Sequence, residues 1–220
     1  MRPKITVIMP IYNAEDTLQR ALDSIPLAKD IQIILLDDGS TDKSWEIALK
    51  WWRDIDTTDT GSIIHRWENN RGVAATMNLG FSLALGEYIV SLSSDDYYVL
   101  DFEKFRPYLD GENDLVYFDL VVNDGSIWHV DEKTKNEYVG AVKFIRREFL
   151  GDTRIPEFKY KEDSPFSHAL YNKNPKEVFT GLVLKKYNWP REGSLTWQAT
   201  QDYEQNRELW AKNSGNYTTK

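Results

Sequence analysis

Two adjacent carboxylates, Asp95 and Asp96, follow directly on an apolar run, Tyr88 to Leu92, within Gly86-Glu-Tyr-Ile-Val-Ser-Leu-Ser-Ser-Asp-Asp-Tyr-Tyr98. In an open α/β sheet a strand delivers its C-terminal residues to the edge where ligands bind. Paired carboxylates there suit a hard divalent cation held jointly with substrate phosphates. Ser93 to Asp96 is equally good chemistry for a plain polar turn, so the pair gains meaning only from its surroundings.

Three further segments keep it company. Pro10-Ile-Tyr-Asn-Ala-Glu15 follows a β-branched run and precedes a helical pattern. That junction offers helix N-terminal amides and, in Tyr12, a flat ring on which a base can stack; Asn13 also serves as a helix cap. Asp37-Asp38-Gly-Ser-Thr-Asp42 ends a second apolar run. A carboxylate there can accept from a base or ribose edge, and the same residues make a capped turn. Asn69-Asn-Arg-Gly72 opens a third helical pattern, in which Gly72 permits close backbone approach and Asn78 is an intrinsically poor helix residue. Downstream, Lys161-Glu-Asp163 reads as a helix start with acidic residues facing the dipole. Arg191-Glu-Gly-Ser-Leu-Thr196 combines an arginine with loop amides that suit phosphate.

The elements that must position these residues alternate. Strands are expected at 4–9, 31–36, 62–67 and 87–92, and helices at 14–25, 43–52 and 72–85. Strands separated by helices of this length imply right-handed parallel crossovers and a doubly wound α/β unit. Beyond Asp96 the pattern loosens. It predicts a short helix at 102–109, a hairpin of 115–122 and 127–130 turning at Asp124-Gly125, and a helix at 139–150. A helix at 164–171, a strand at 178–184 and a helix from about 201 to 210 follow. No linker separates independent domains, so residues 1–100 and 101–220 read as two halves of one domain.

Composition narrows the classes. The chain has 220 residues, 41% hydrophobic and 28% charged, with no cysteine, which removes disulfides, thiolate metal sites and cysteine nucleophiles. A net charge of −8 argues against nucleic acid as a partner and asks for a local cation to hold an anionic substrate. His65, His129 and His168 lack metal-ligand spacing and read as structural, and the eight tryptophans are partly core. Trp128, Trp189 and Trp197 lie in the less regular half, where aromatic platforms for a sugar are expected, though core packing accounts better for any one of them. No signal-peptide pattern precedes the first strand and no apolar run is long enough to span a bilayer, so the chain reads as soluble and cytoplasmic.

Taken together, Ile5 to Glu15, Leu36 to Asp42, Asn70 to Asn78 and Gly86 to Asp96 resemble, in order and spacing, the inverting nucleotide-sugar transferases of glycosyltransferase family 2. The second half joins the resemblance through Glu162-Asp163 and Arg191 to Thr196. The resemblance implies the GT-A fold, a mostly parallel doubly wound sheet flanked by helices. The first half would bind the nucleotide sugar and the second the acceptor. It implies that Pro10, Tyr12 and Asp38 hold the nucleoside, most often uridine, with Asn13 and Glu15 shaping the pocket and Gly72 and Asn78 lining its floor. Asp95 would meet the ribose or sugar, Asp96 would bind Mn²⁺ or Mg²⁺ bridging the diphosphate, and Arg191 would meet the diphosphate from the second half. Asp163 would be the general base, with Glu162 as the alternative. Two positions depart from the family pattern: Ser94 stands where the metal motif often carries Asp, and Met77 where many relatives carry Arg.

The expected reaction is transfer of a sugar, from a UDP-sugar by preference, to a hydroxyl of a glycan, lipid-linked or protein acceptor, in surface polysaccharide or glycoconjugate synthesis. A lipid-linked acceptor would bring the protein to the inner membrane face. Two other classes share parts of this signature. A nucleotidyltransferase would want a glycine-rich basic loop after the first strand, where this chain has Pro10-Ile-Tyr-Asn13. A non-catalytic nucleotide-sugar or glycan-binding module would have no need of both Asp96 and Asp163.

Overall fold

Residues 5–11 and 31–37 are runs of Ile, Val, Leu and Met with almost every side chain buried, as strands covered on both faces require. They form β1 (Ile5–Ile11) and β2 (Ile31–Asp37) of a computed structural model that describes residues 2–55, 60–135, 142–157, 163–189 and 192. The chain divides into Met1–Tyr187 and Asn188–Lys220, and nearly everything described lies in the first unit.

In that unit, β3 (Ile63–Arg66) pairs with β2, and β4 (Tyr88–Ser91) pairs with β1, all in parallel. The helices α1 (Leu18–Asp23), α2 (Ser44–Asp54) and α3 (Val73–Leu83) are the crossovers between them. Gly80 is the contact point of α3 on the sheet: a Cβ there would sit 2.5 Å from Ile8 Cγ2. The first hundred residues thus build the doubly wound unit that their alternation implies.

The sheet does not stop at residue 100. It continues through β5 (Tyr97–Tyr98), β6 (Leu115–Val121), β7 (Ile127–Trp128), β8 (Lys143–Arg146) and β9 (Glu177–Lys186). The order is β3-β2-β1-β4-β8-β6-β9-β5, with β7 hairpinned onto β6. β8 runs antiparallel to both β4 and β6, β6 is parallel to β9, and β5 is antiparallel to β9. The result is a mixed α/β sheet, parallel on the side built by the first half.

The expected helix at 139–150 is a correction. Residues 143–146 form β8, and only α4 (Arg147–Leu150) is helical. Val142, Lys143, Phe144 and Ile145 are all buried, so the segment is a fully covered strand, which helical spacing imitates over a short run. The segment at 102–109 is two 3₁₀ turns, Phe102–Lys104 and Arg106–Tyr108, with Pro107 inside the second. β5 was not anticipated. α5 (Asp163–Tyr171) and β9 form where the pattern places them, and the expected helix from 201 lies outside the described residues.

Candidate active site

Because β1, β2 and β4 are parallel and in register, with Ile11 opposite Asp37 and Ile8 opposite Ser91, their C-terminal ends reach one edge of the sheet together. The loops leaving that edge carry most of the residues singled out in the sequence. Tyr12 is half exposed just past β1, at 48%, with Pro10 partly covered behind it.

Asn13 and Glu15 lace the first loop to the second. Asn13 adopts φ 45°, a left-handed conformation that Asn tolerates better than most residues. Its Oδ1 accepts from the Thr41 amide at 2.9 Å, and its own amide donates to Ser40 Oγ at 3.1 Å. The Glu15 amide donates to Asp42 Oδ2 at 3.0 Å, and Glu15 Oε2 accepts from the Lys43 amide at 3.0 Å, at the start of α2.

Asp38 fastens the third loop. Its carboxylate spans two backbone amides, Arg71 at 2.7 Å and Gly72 at 2.9 Å, and it is 3% exposed. Burial pushes its pKa up, against the pull of those two amides. Gly39 next to it has φ 76°, and a Cβ there would lie 2.7 Å from the Asn69 carbonyl carbon. Only glycine allows the second and third loops to approach this closely. Gly72 has φ 88° with open space around it, so backbone conformation alone demands glycine there. The Arg71 guanidinium lies 3.9 Å over the Trp67 ring. Asp38 is thus oriented by the loop it organises, at the place where a nucleoside edge is expected.

The fourth strand end carries the carboxylate pair. Thr17 Oγ1 donates to the Ser94 carbonyl at 2.9 Å, and the Asp96 amide donates to the Ser93 carbonyl at 3.1 Å, which closes the turn. Arg20 lies 4.5 Å over Tyr97 and reaches the Asp95 carbonyl at 3.5 Å. Asp95 is partly exposed, whereas Asp96 is buried at 1% and its Oδ2 lies 3.4 Å from Lys185 Nζ. Lys185, itself 3% exposed, comes from β9 because β5 pairs Tyr98 with Lys185. Beside them the Tyr98 phenol is pushed well up, by burial first and then by the charge of Asp96. Among the described residues no three His, Cys, Asp or Glu side chains converge as a metal site. The carboxylates of Asp95 and Asp96 suit a cation that takes one or two carboxylate oxygens and completes its shell with phosphate and water.

Asn78 is held by a pair of hydrogen bonds: its Nδ2 donates to the Ile155 carbonyl at 2.8 Å and its Oδ1 accepts from the Ile155 amide at 2.9 Å. That reciprocal pair ties the segment before α5 to α3. On the other side of residues 158–162, Phe166 stacks on Phe81 of α3 at 5.5 Å, and Lys143 Nζ donates to buried Ser167 Oγ at 3.1 Å. Asp163 is the first residue of α5, so α3 holds the chain both before and after the expected base. The Asp163 side chain, Glu162, Arg191 and Trp197 lie outside the described residues.

Two of the three histidines have contacts unlike a core residue's. His129 is exposed on its ring and lies 2.6 Å from buried Asp119, and His168 is exposed beside Tyr171. Trp128 packs on Tyr187 at the partly buried margin of the core. The site residue with no sequence signal was Lys185: the pattern Leu184-Lys-Lys186 marks a strand end, not a buried ammonium.

Comparison with known proteins identifies the family and the fold. The glycosyl transferase family 2 profile matches residues 6–173. An uncharacterized glycosyltransferase of Haemophilus influenzae is 41% identical over 185 residues, which is 76% of this chain and 72% of that protein. Glycosyltransferase GlyA of Streptococcus pneumoniae serotype 4 is 39% identical over 224 residues, 88% of this chain but 31% of that protein. Among solved structures, S. aureus TarS 1-349 in complex with UDP-GlcNAc superposes with a TM-score of 0.73 at 21% identity, covering 88% of this chain and 60% of that one. Mannosyltransferase PcManGT from Pyrobaculum calidifontis, in complex with GDP-Man and Mn²⁺, gives 0.70 at 18% identity, covering 91% and 61%. The mixed α/β sheet is the one shared with these two structures, and the chain belongs to glycosyl transferase family 2.

Proposed function

We propose that the chain transfers a sugar from a nucleoside-diphosphate donor, UDP-linked by preference, to a hydroxyl acceptor with inversion at the anomeric carbon. The observation that carries this reading is the convergence of Asp38, Asp95 and Asp96 at one edge of three parallel strands, with Tyr12 exposed beside them. The nucleotide sugars in the TarS and PcManGT complexes support a donor of this class, one uridine-linked and one guanosine-linked. Residues 1–100 take the donor in this reading and residues 101–220 the acceptor.

In the reaction the acceptor oxygen attacks the anomeric carbon, the bond from that carbon to the diphosphate oxygen breaks, and the acceptor proton passes to Asp163. The nucleoside diphosphate leaves with the bonding electrons. Mn²⁺ or Mg²⁺ held by Asp96 would supply charge neutralisation for that leaving group. Asp38 orders the loop facing the nucleoside, Asp95 orients the ribose or sugar, and Arg191 adds a second positive charge at the diphosphate. Asn78 and Phe166 fix the ends of the segment that presents the base. A single base acting opposite the leaving group makes the outcome inversion.

The acceptor class proposed is a glycan, lipid-linked or protein hydroxyl in surface glycoconjugate synthesis, in the cytoplasm or at the inner membrane face. Among the described residues no helix is long and apolar enough to cross a membrane. The test is a panel of UDP- and GDP-sugars with glycan acceptors, followed by NMR of the new linkage. An α-linked donor should give a β-linked product, and Asp163→Asn should lower turnover by about 10²–10⁴-fold while nucleotide binding persists. An α-linked product, or a fully active Asp163→Asn, would falsify the assignment of a single base.

A further inference from the structure

The carboxylate assigned to the cation already has a cationic neighbour. Asp96 and Lys185 are both buried, at 1% and 3% exposure, with Nζ 3.4 Å from Oδ2. Charge-assisted N–H···O bonds are typically about 2.7–2.9 Å long, so this is a loose pair rather than a closed one. The ammonium belongs to β9, and its flexible stem reaches across the strand pair from the residue opposite Tyr98. A divalent cation entering at Asp96 alone would bring two positive charges beside a third where water is scarce, and repulsion there is strong. A diphosphate arriving with the cation reverses that balance, because its negative charge faces both.

We propose that Lys185 makes divalent-cation binding at Asp96 conditional on the donor's diphosphate. Without nucleotide, the ammonium holds the carboxylate as a neutral pair and keeps metal affinity low. With nucleotide, the ammonium turns toward the phosphate oxygens and the carboxylate is released to the metal. The inference rests on the reading of Asp96 as the cation ligand. By linkage, the factor by which nucleotide raises metal affinity equals the factor by which metal raises nucleotide affinity, and Lys185 sets both.

The test follows free Mn²⁺ by electron paramagnetic resonance as the protein is titrated, with and without UDP or GDP. Wild type should bind Mn²⁺ alone at least about tenfold more weakly than in the presence of its nucleotide. Lys185→Met should bind Mn²⁺ alone at least about tenfold more tightly than wild type, with the nucleotide effect reduced by the same factor, and Lys185→Arg should follow wild type. Equal Mn²⁺ affinity of Lys185→Met and wild type without nucleotide overturns the proposal. So does a wild type whose Mn²⁺ affinity ignores both nucleotides, which decides the matter even where Lys185→Met does not fold. Asp96→Ala separates the two levels. If that variant still binds Mn²⁺ with nucleotide as wild type does, the cation assignment itself fails. If it does not, and Lys185→Met changes nothing, only the role of Lys185 fails.

Discussion

At the scale of residues, the polar side chains at the sheet edge work in pairs across loops. Asp38 is the clearest case, because both its oxygens accept backbone amides from the loop at 71–72. Asp38→Ala leaves those donors without their acceptor, at a cost of about 2–4 kcal/mol, whereas Asp38→Asn keeps one acceptor and costs less. Urea unfolding of the two variants checks this, and an Asp38→Ala as stable as wild type would show that the loop holds itself. The residue types of this edge were legible in the sequence, since Asp, Asn and Gly at strand ends announce chemistry or turns. What could not be read was which partner each would take. Asn78 stands out because Asn is poor in a helix interior, but that its two polar atoms pair with Ile155, 77 positions away, has no signal in the sequence. Lys185 carried no signal at all, because it lies where β9 pairs with a strand of only two residues, β5.

At the scale of elements, α3 matters to the site because Gly80 packs directly on β1 while the next residue, Phe81, seats α5. Gly80→Ala should destabilise the protein by about 1–3 kcal/mol through overpacking against Ile8. Combined with Ile8→Ala, whose cavity the new methyl refills, it should cost measurably less than the sum of the single changes. Strict additivity in thermal unfolding would mean that α3 shifts away instead. A second element contact sets an acid limit. Arg106, in the 3₁₀ turn after β5, forks onto Asp30 just before β2 at 2.6 and 3.1 Å, and its hydrogen bond holds the Asp30 carboxyl below its ordinary value. A lowered folded pKa gives stability that is present above the unfolded value, 3.8, and disappears as pH falls through the folded one. Asp30→Asn should therefore cost on the order of 1 kcal/mol at neutral pH and nothing in strong acid, measured by denaturant unfolding across pH. The parallel elements were readable because their periodicity and turns agree. β8 was not, since a fully buried run with Lys143 inside it has no alternation, and a two-residue strand such as β5 is too short to leave a pattern.

At the scale of the molecule, one continuous sheet joins a parallel half, whose loops carry Asp38, Asp95 and Asp96, to a mixed half that supplies Lys185. That joining brings the Asp96 carboxylate and the Lys185 ammonium together, though they lie almost ninety positions apart. An acidic chain, at −8, would hold an anionic donor only with local positive charge, so the proposed transfer requires nucleotide and cation to bind together at Asp96. The most direct test is thermal unfolding with UDP and with GDP, each with and without Mn²⁺, on wild type and Asp96→Ala. At about 100 times its dissociation constant a ligand adds about 2.7 kcal/mol, which at this chain length raises Tm by roughly 5–10 °C. Wild type should show that rise with one nucleotide plus Mn²⁺, with a much smaller rise for either alone and none in Asp96→Ala. An equal rise in Asp96→Ala, or none with any combination in wild type, would contradict joint binding at Asp96.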